Sequence, residues 1–429
     1  MNRGIAPQAT RHLTRHILRR LERFLSVEAV SGIILLGATA VALLWANSPW
    51  AHSYQALWYA PLALGRASSV AAQPLHFWVN EGLMTIFFLV VGLEIRRELH
   101  DGALSDPRIA TLPIVSAIAG VIVPAVIYIV INSDSAARRG WAVPTATDIA
   151  FAVGVLSLVG KGVPPALRML LLTLAIIDDI AAILAIAFYY SNGIGATGIL
   201  IAACGLLAVL GLQRLGVRAA LAYVMPALLV WLGMLRAGVH PTLAGVVLGL
   251  MTPATASFGR RTPPPTSELS RVEREIHSPA ARVQTMLHPW VAYGILPVFA
   301  LANAGVSLKG LVVSAGVPLT LASGIVMGLV LGKPVGIILA ARIAVSLGWC
   351  ALPEGVGWRH IGLLGCLGGI GFTMSIFIAD LAFRDPLLLQ ASKFGVLLAS
   401  TVAAIAGLVV GRLAPGQPPH PIEPRFTDV

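Results

Sequence analysis

Apolar runs of about twenty residues follow one another along most of the chain, separated by short stretches that carry the charges. A helix of that length crosses the hydrocarbon core of a bilayer, and in lipid every backbone N–H and C=O must find its partner within the segment. A membrane barrel would alternate apolar and polar positions, and these runs do not. The pattern predicts about twelve spans, at 28–46, 76–99, 110–131, 141–159, 166–190, 194–213, 218–235, 239–253, 288–308, 320–343, 359–382 and 388–411. The segments near 54–75 and 254–287 do not read as spans. The second contains Pro263-Pro264-Pro265 and a charge run from Glu268 to Arg282.

Two spans depart from a plain apolar helix. The fourth reads WAVPTATDIAFAVG, with Pro144, Thr145, Thr147 and Asp148. The eleventh reads LLGCLGGIGFTMSIFIA, with Gly365, Gly368, Gly369 and Gly371. Proline removes a backbone donor and glycine weakens a helix, so both spans are expected to be interrupted. Spans 3–5 and 10–12 form two triplets with the interrupted member in the middle, entering the membrane from opposite sides. Interrupted spans at matching places in two inverted halves point to a transporter site. For any one glycine of the eleventh span, close helix-on-helix packing is a serious competing explanation.

Composition agrees with this pattern. The chain has 429 residues, 57% of them hydrophobic and only 11% charged; soluble domains carry about 25% charged residues. Its mean hydropathy is +0.84. The formal net charge of +11 would suggest nucleic acid in a soluble protein, but here the cations flank apolar runs and report topology instead. With the N-terminus in the cytoplasm, 22 of the 30 Lys and Arg fall inside. Seven fall outside (Arg66, Arg138, Arg139, Arg236, Lys309, Arg384 and Lys393), and Lys333 lies within a span. That bias supports an even number of spans with both termini cytoplasmic. Residues 11–26 place Leu13, Ile17, Leu21, Phe24 and Leu25 on one stripe with arginines largely elsewhere, which reads as a basic amphipathic helix on an anionic membrane surface. Cys204, Cys350 and Cys366 show neither metal-ligand nor disulfide spacing.

The ionisable residues inside spans carry the chemistry. Asp178 and Asp179 stand side by side in LRMLLLTLAIIDDIAAILAIAFYY, with no cation near them in sequence after Arg168. A charge at the centre of a membrane helix costs about 2.5–3.5 kcal/mol on insertion scales, so such residues are functional by default. Adjacent residues differ by about 100° around a helix, so the two carboxylates point in different directions. One is expected to meet Lys333, in VMGLVLGKPVGIILA; the other is expected to line a water-filled cavity. Asp148 and Thr147, on the interrupted fourth span, supply further oxygens, and Asp148 can neutralise exposed helix-end charge. A hard monovalent cation such as sodium, by analogy with other hard cations, prefers such oxygens. If proton and cation compete for the acids, and the site changes sides only when one of them is bound, exchange results. A structural Asp–Lys pair would account for one carboxylate and leave two unexplained. At the ends of the second span lie Glu81 on one side and Glu94, Arg96, Arg97 and Glu98 on the other, where local ion pairing is the plain reading and a cation funnel the sharper one. His240 can titrate near neutrality, although a lone histidine is more often structural.

Seven stretches resemble one family: FFLVVGLEIRREL, PTATDIAFAVG, LTLAIIDDIAAI, GVHPTLAG, HPWVAYGILPVFALANAGV, LGKPVGI and GGIGFTMSIFIA. They run from Phe87 to Ala379, most of the membrane domain, and resemble the bacterial sodium/proton antiporters of the NhaA type. That family is itself a type example of inverted-repeat transporters, so the repeat argument and the resemblance are not independent. The resemblance implies that the fourth and eleventh helices unwind and cross at mid-membrane. It implies Asp179 as principal Na⁺ and Li⁺ ligand and Asp178 as its partner, also able to pair with Lys333. Thr147 and Asp148 then lie beside the site, with Asp148 offsetting positive helix ends and Lys333 negative ones. Glu94, Arg97, Glu98, His240 and His288 become candidates for pH response. Family members are electrogenic, pH-activated homodimers of the inner membrane. Glu81 replaces an aspartate, and Gln284 stands where the pH-responsive cluster has a glutamate.

The expectation is therefore an all-α polytopic antiporter that exchanges intracellular Na⁺ or Li⁺ for external H⁺ by alternating access. It is neither an enzyme nor dependent on a cofactor, and it does not bind nucleic acid. Residues 1–27 form a cytoplasmic N-terminal segment, 28–412 the membrane domain with a hydrophilic loop at 254–287, and 413–429 a cytoplasmic tail. The rival classes are an intramembrane aspartyl protease, which leaves Lys333 without a role, a retinal-based proton pump and a passive channel.

Overall fold

The structure is a computed structural model that describes residues 30–61, 73–100, 102–105, 107–160, 163–191, 195–217, 219–253, 279–307 and 316–413. The basic N-terminal stretch, the triple-proline segment, Lys309 and the C-terminal tail lie outside the described residues.

Fifteen helices and a short 3₁₀ turn at Ala103–Ser105 make up the helical part of the described residues. The helices are α1 (Val30–Ala46), α2 (Ala51–Tyr59), α3 (Leu75–His100), α4 (Pro107–Ile131), α5 (Ser135–Thr145), α6 (Ile149–Val159), α7 (Pro165–Phe188) and α8 (Ala196–Arg214). There follow α9 (Ala220–Ala237), α10 (Thr242–Met251), α11 (Pro279–Asn303), α12 (Val317–Ser346), α13 (Trp358–Gly368), α14 (Phe372–Ala382) and α15 (Pro386–Leu413). Every predicted span is mainly helical in its described residues, with the fourth and eleventh interrupted at 146–148 and 369–371. Eight helices are long and apolar enough to cross a bilayer singly, and three bent pairs (α1–α2, α5–α6 and α13–α14) raise that to eleven. The remaining predicted span, α10, is shorter. α11 begins at Pro279, so the end of the segment expected as loop is already helical.

The helices fall into two packed groups. In one, α4 packs on α7, α12 packs on α15, and α4 and α12 pack on each other, enclosing α5–α6 and α13–α14. Both triplets thus have the same make-up: a long helix, a broken pair, a long helix. In the other group α3 packs on α10, and α8 on α9. The groups meet where Phe88 of α3 and Phe299 of α11 approach Phe377 of α14, with ring centres 5.3 and 6.2 Å away.

The breaks have local causes. α5 ends in a tight 3₁₀ stretch, Arg139–Thr145, containing Pro144; the chain then extends through Ala146 and Asp148 before α6 begins, bent by 47°. α13 ends in glycines, and α14 resumes after Gly371 at 41°. The breaks cross: the Asp148 backbone N–H donates to the Ile370 carbonyl at 2.7 Å. The fold of two interrupted, crossing helices expected from sequence is present. Close packing on glycine is present as well, since Gly365 faces Pro334 and Gly369 faces the Leu329 carbonyl of α12.

Candidate functional site

The crossing sets side chains of α7 and α12 against the exposed helix ends. Asp178 Oδ2 on α7 meets the Lys333 ammonium on α12, and it accepts from the Thr147 hydroxyl at 2.6 Å. Lys333 also donates to Thr147 Oγ1 at 2.7 Å, and that hydroxyl lies 2.9 Å from the Gly368 carbonyl at the end of α13. All three groups are sealed from the surface: Lys333 and Thr147 are 0% exposed and Asp178 1%. Asp179, also 1% exposed, makes no hydrogen bond with Lys333 but lies within reach of its charge. Its Oδ1, like the Oδ1 of Asp178, is buried with no hydrogen-bond partner. Buried polar atoms are nearly always satisfied, so two orphaned carboxylate oxygens on adjacent residues suit a ligand that comes and goes.

Asp148 does a different job in this geometry. Its Oδ1 accepts from the Phe151 N–H at 3.0 Å, capping α6. Its Oδ2 accepts from the Thr373 N–H at 3.0 Å and from the Thr373 hydroxyl, so it also caps α14. One carboxylate therefore faces the positive ends of both interrupted helices, where a negative charge is stabilising. Lys333 sits beside the negative end of α13. Among the described residues no group of three His, Cys, Asp or Glu side chains is arranged to hold a metal ion.

The pH-response candidates divide between the two ends of the bundle. At the end where α3 finishes, Gln284 of α11 donates to Glu94 Oε1 at 3.0 Å and accepts from Arg97 at 3.5 Å, bridging the acid and the base. Glu98 accepts from the Ala103 N–H at 2.8 Å and from Thr173 of α7 at 3.4 Å. His288 lies half-buried one turn beyond Gln284. At the opposite end His240 contacts Glu81 Oε1 at 3.4 Å and the Tyr190 carbonyl at 3.2 Å. His240 therefore does not belong with the Glu94–Glu98 cluster.

Several polar partners escaped the sequence reading. Thr373 and Ser375 follow the glycine run; Ser375 donates to the Val143 carbonyl at 2.7 Å and ties α14 to α5. Ser400 of α15 accepts from the Phe372 N–H at 3.1 Å, another donor at the start of α14. Hydroxyls in apolar runs cost little, so nothing in their sequence sets them apart. Lys393, expected as an outer-side cation, is buried and bonds the Asp380 carboxylate of α14, whose side chain is 7% exposed, at 2.8 Å. Proximity to a helix end did not expose Asp380, because α15 folds back along α14 and covers it.

Apolar helices in two matching sets, two of them broken over a buried acid pair and its lysine, define an ion-coupled secondary transporter. Residues 22–410 match the model of the family described as Na+/H+ antiporter 1. The "Na(+)/H(+) antiporter NhaA 2" of Pseudomonas putida is 54% identical, with 96% of each chain covered. The "Na(+)/H(+) antiporter NhaA" of Cupriavidus necator is also 54% identical, over 91% of this chain and 89% of its own. A protein of the same name from Bartonella tribocorum is 48% identical, over 94% and 95%. The chain belongs to the Na+/H+ antiporter 1 family, and with its many apolar helices it is a multi-pass bacterial membrane protein.

Proposed function

We propose that this chain carries Na⁺ or Li⁺ out of the cell in exchange for H⁺, by alternating access around Asp178 and Asp179. The observation that carries this reading is the asymmetric acid pair. One oxygen of Asp178 is held by Lys333 and Thr147, while the Oδ1 atoms of both aspartates are buried without partners.

Bound Na⁺ would draw on both free oxygens and the Thr147 hydroxyl. Protons would neutralise the same acids when the cation leaves. Each ligand excludes the other because both need the same lone pairs. An unoccupied site leaves uncompensated charge in a dry interior, which disfavours movement across the membrane without a ligand. Lys333 keeps its ion pair while Asp178 is charged and must find another partner when that acid is neutral, which links proton count to helix arrangement. More protons than cations per cycle make the exchange electrogenic. Asp148 holds α6 and α14 in register through the cycle.

In this account both termini face the cytoplasm, the membrane domain spans 28–412, and the protein works as a homodimer in the inner membrane, without an enzymatic step or cofactor. Glu94, Arg97, Glu98 and His288 set the pH response from the cytoplasmic end and His240 from the outer end. The test is proton flux in proteoliposomes on addition of Na⁺, Li⁺ or K⁺ across a pH range. The wild type responds to Na⁺ and Li⁺ but not K⁺, and Asp179→Asn loses the response by at least 100-fold while still folding. Exchange retained in that variant overturns the site.

A further inference from the structure

A second buried lysine–carboxylate pair lies away from the central site. Lys393 of α15 bonds Asp380 Oδ1 of α14 at 2.8 Å, each side chain 7% exposed. Asp380 Oδ2 is buried with no hydrogen-bond partner. Lys393 also donates to Asn303 Oδ1 at the end of α11, 3.3 Å away. The same Asn303 oxygen lies 2.9 Å from His76 Nε2, and Asn303 Nδ2 donates to Asn80 Oδ1 at 2.7 Å, both partners being on α3. Tyr59 of α2 stacks on the His76 ring with centres 4.9 Å apart. The pattern repeats the centre: one carboxylate oxygen on an ammonium, the other free, and the ammonium shared with a neutral side chain. The two sites are distinct, because Asp380 lies about 10 Å along α14 from Thr373.

A buried ion pair is costly to build and gives weak net stability, so packing alone does not explain it. We propose that Asp380 is a second proton-binding site, in the outer half of the carrier, exchanging its proton with the outer medium. The proposal goes beyond the central exchange and takes the direction "outer" from it. A hydronium ion of the outer medium gives its proton to the free Oδ2 and leaves as water, and Lys393 keeps its charge. The groups facing Asp380 are Lys393 from α15, His76 from α3, and Tyr54 and Tyr59 from α2, while α11 contributes the neutral Asn303. With Asp380 charged, Lys393 is held between α14 and α11 and ties the two helix groups together. With Asp380 neutral, that cluster carries unbalanced positive charge and the tie weakens.

The test is ²²Na⁺ transport in right-side-out and everted membrane vesicles containing the full chain, with the pH of the two compartments varied independently. In the wild type the rate follows both. In Asp380→Asn the midpoint of the outer-pH dependence moves at least 5-fold in proton concentration, the central acids still answering to outer protons, while the inner-pH curve superposes on the wild type. The double variant Asp380→Asn/Lys393→Met, which strands no charge, behaves in the same way. Outer-pH curves unchanged in both variants, or outer and inner curves displaced together, overturn the proposal. The infrared carboxylic-acid band of the purified protein gives a readout independent of transport. Asp380→Asn removes a pH-dependent band that Asp179→Asn leaves in place; a spectrum unchanged by Asp380→Asn sinks the second site. Wild-type vesicles without Na⁺-driven proton flux sink the central reading instead, and the infrared band still decides Asp380.

Discussion

Asp148 and Lys333 balance the broken helices from opposite signs. The carboxylate receives N–H groups from α6 and α14, and the ammonium lies at the carbonyl end of α13. Removing one member of a buried pair strands the other. Lys333→Ala should therefore lower the unfolding free energy by about 3–5 kcal/mol. The double variant Asp178→Asn/Lys333→Met should recover most of it, which thermal or denaturant unfolding in detergent can check. A double variant no more stable than Lys333→Ala would show that the pairing contributes little. At this scale the sequence was informative about charge and poor about contacts. Asp178, Asp179 and Lys333 stood out because a membrane charge has few bland explanations. Which aspartate takes the lysine followed, before the structure, from family resemblance alone. Asp380 lies close to a helix end, yet its side chain is covered because α15 packs along α14.

Among the elements, proline and glycine made the breaks legible. Pro144 and the run from Gly365 to Gly371 marked both interrupted spans, and both are bent. Among the described residues three π-helical stretches carry no sequence signal of their own: Trp78–Leu83 in α3, Val291–Ile295 in α11 and Gly328–Gly332 in α12. The last runs directly into Lys333-Pro334. Pro334 has no N–H to give and its ring crowds the carbonyl four residues back, so the helix widens there and sets the direction of Lys333. A single proline in an apolar run does not announce which distortion it will cause. Gly369 is required by the crossing itself, since a Cβ would stand 2.5 Å from the Leu329 carbonyl. Gly369→Val should cost about 1–3 kcal/mol and abolish exchange, to be read from unfolding in detergent and vesicle flux together. Normal flux in a folded Gly369→Val would mean that the close crossing is dispensable.

On the scale of the whole molecule, the two helix groups meet where α3 and α11 face α14, and polar bridges stand at both ends of α11. Gln284 links α11 to Glu94 and Arg97 at one end, and Asn303 links α11 to Lys393 and His76 at the other. Replacing Gln284 by Glu sets a second carboxylate against Glu94, and two like charges at that distance resist ionising together. Gln284→Glu should move the activation curve of exchange to higher pH, and a superposable pH profile would leave Gln284 a structural bridge. Helix count and the broken pairs were legible from apolar run lengths and breakers, whereas these bridges join residues more than 90 positions apart in most cases and no local pattern encodes them. The proposed exchange requires sodium and protons to contest the same acids, and the most direct test is to add Na⁺ to purified protein in weakly buffered detergent solution while recording pH. Proton release on Na⁺ or Li⁺ but not K⁺, abolished by Asp178→Asn/Asp179→Asn, is the predicted result. Na⁺ bound, as shown by calorimetry, with no proton released would contradict it.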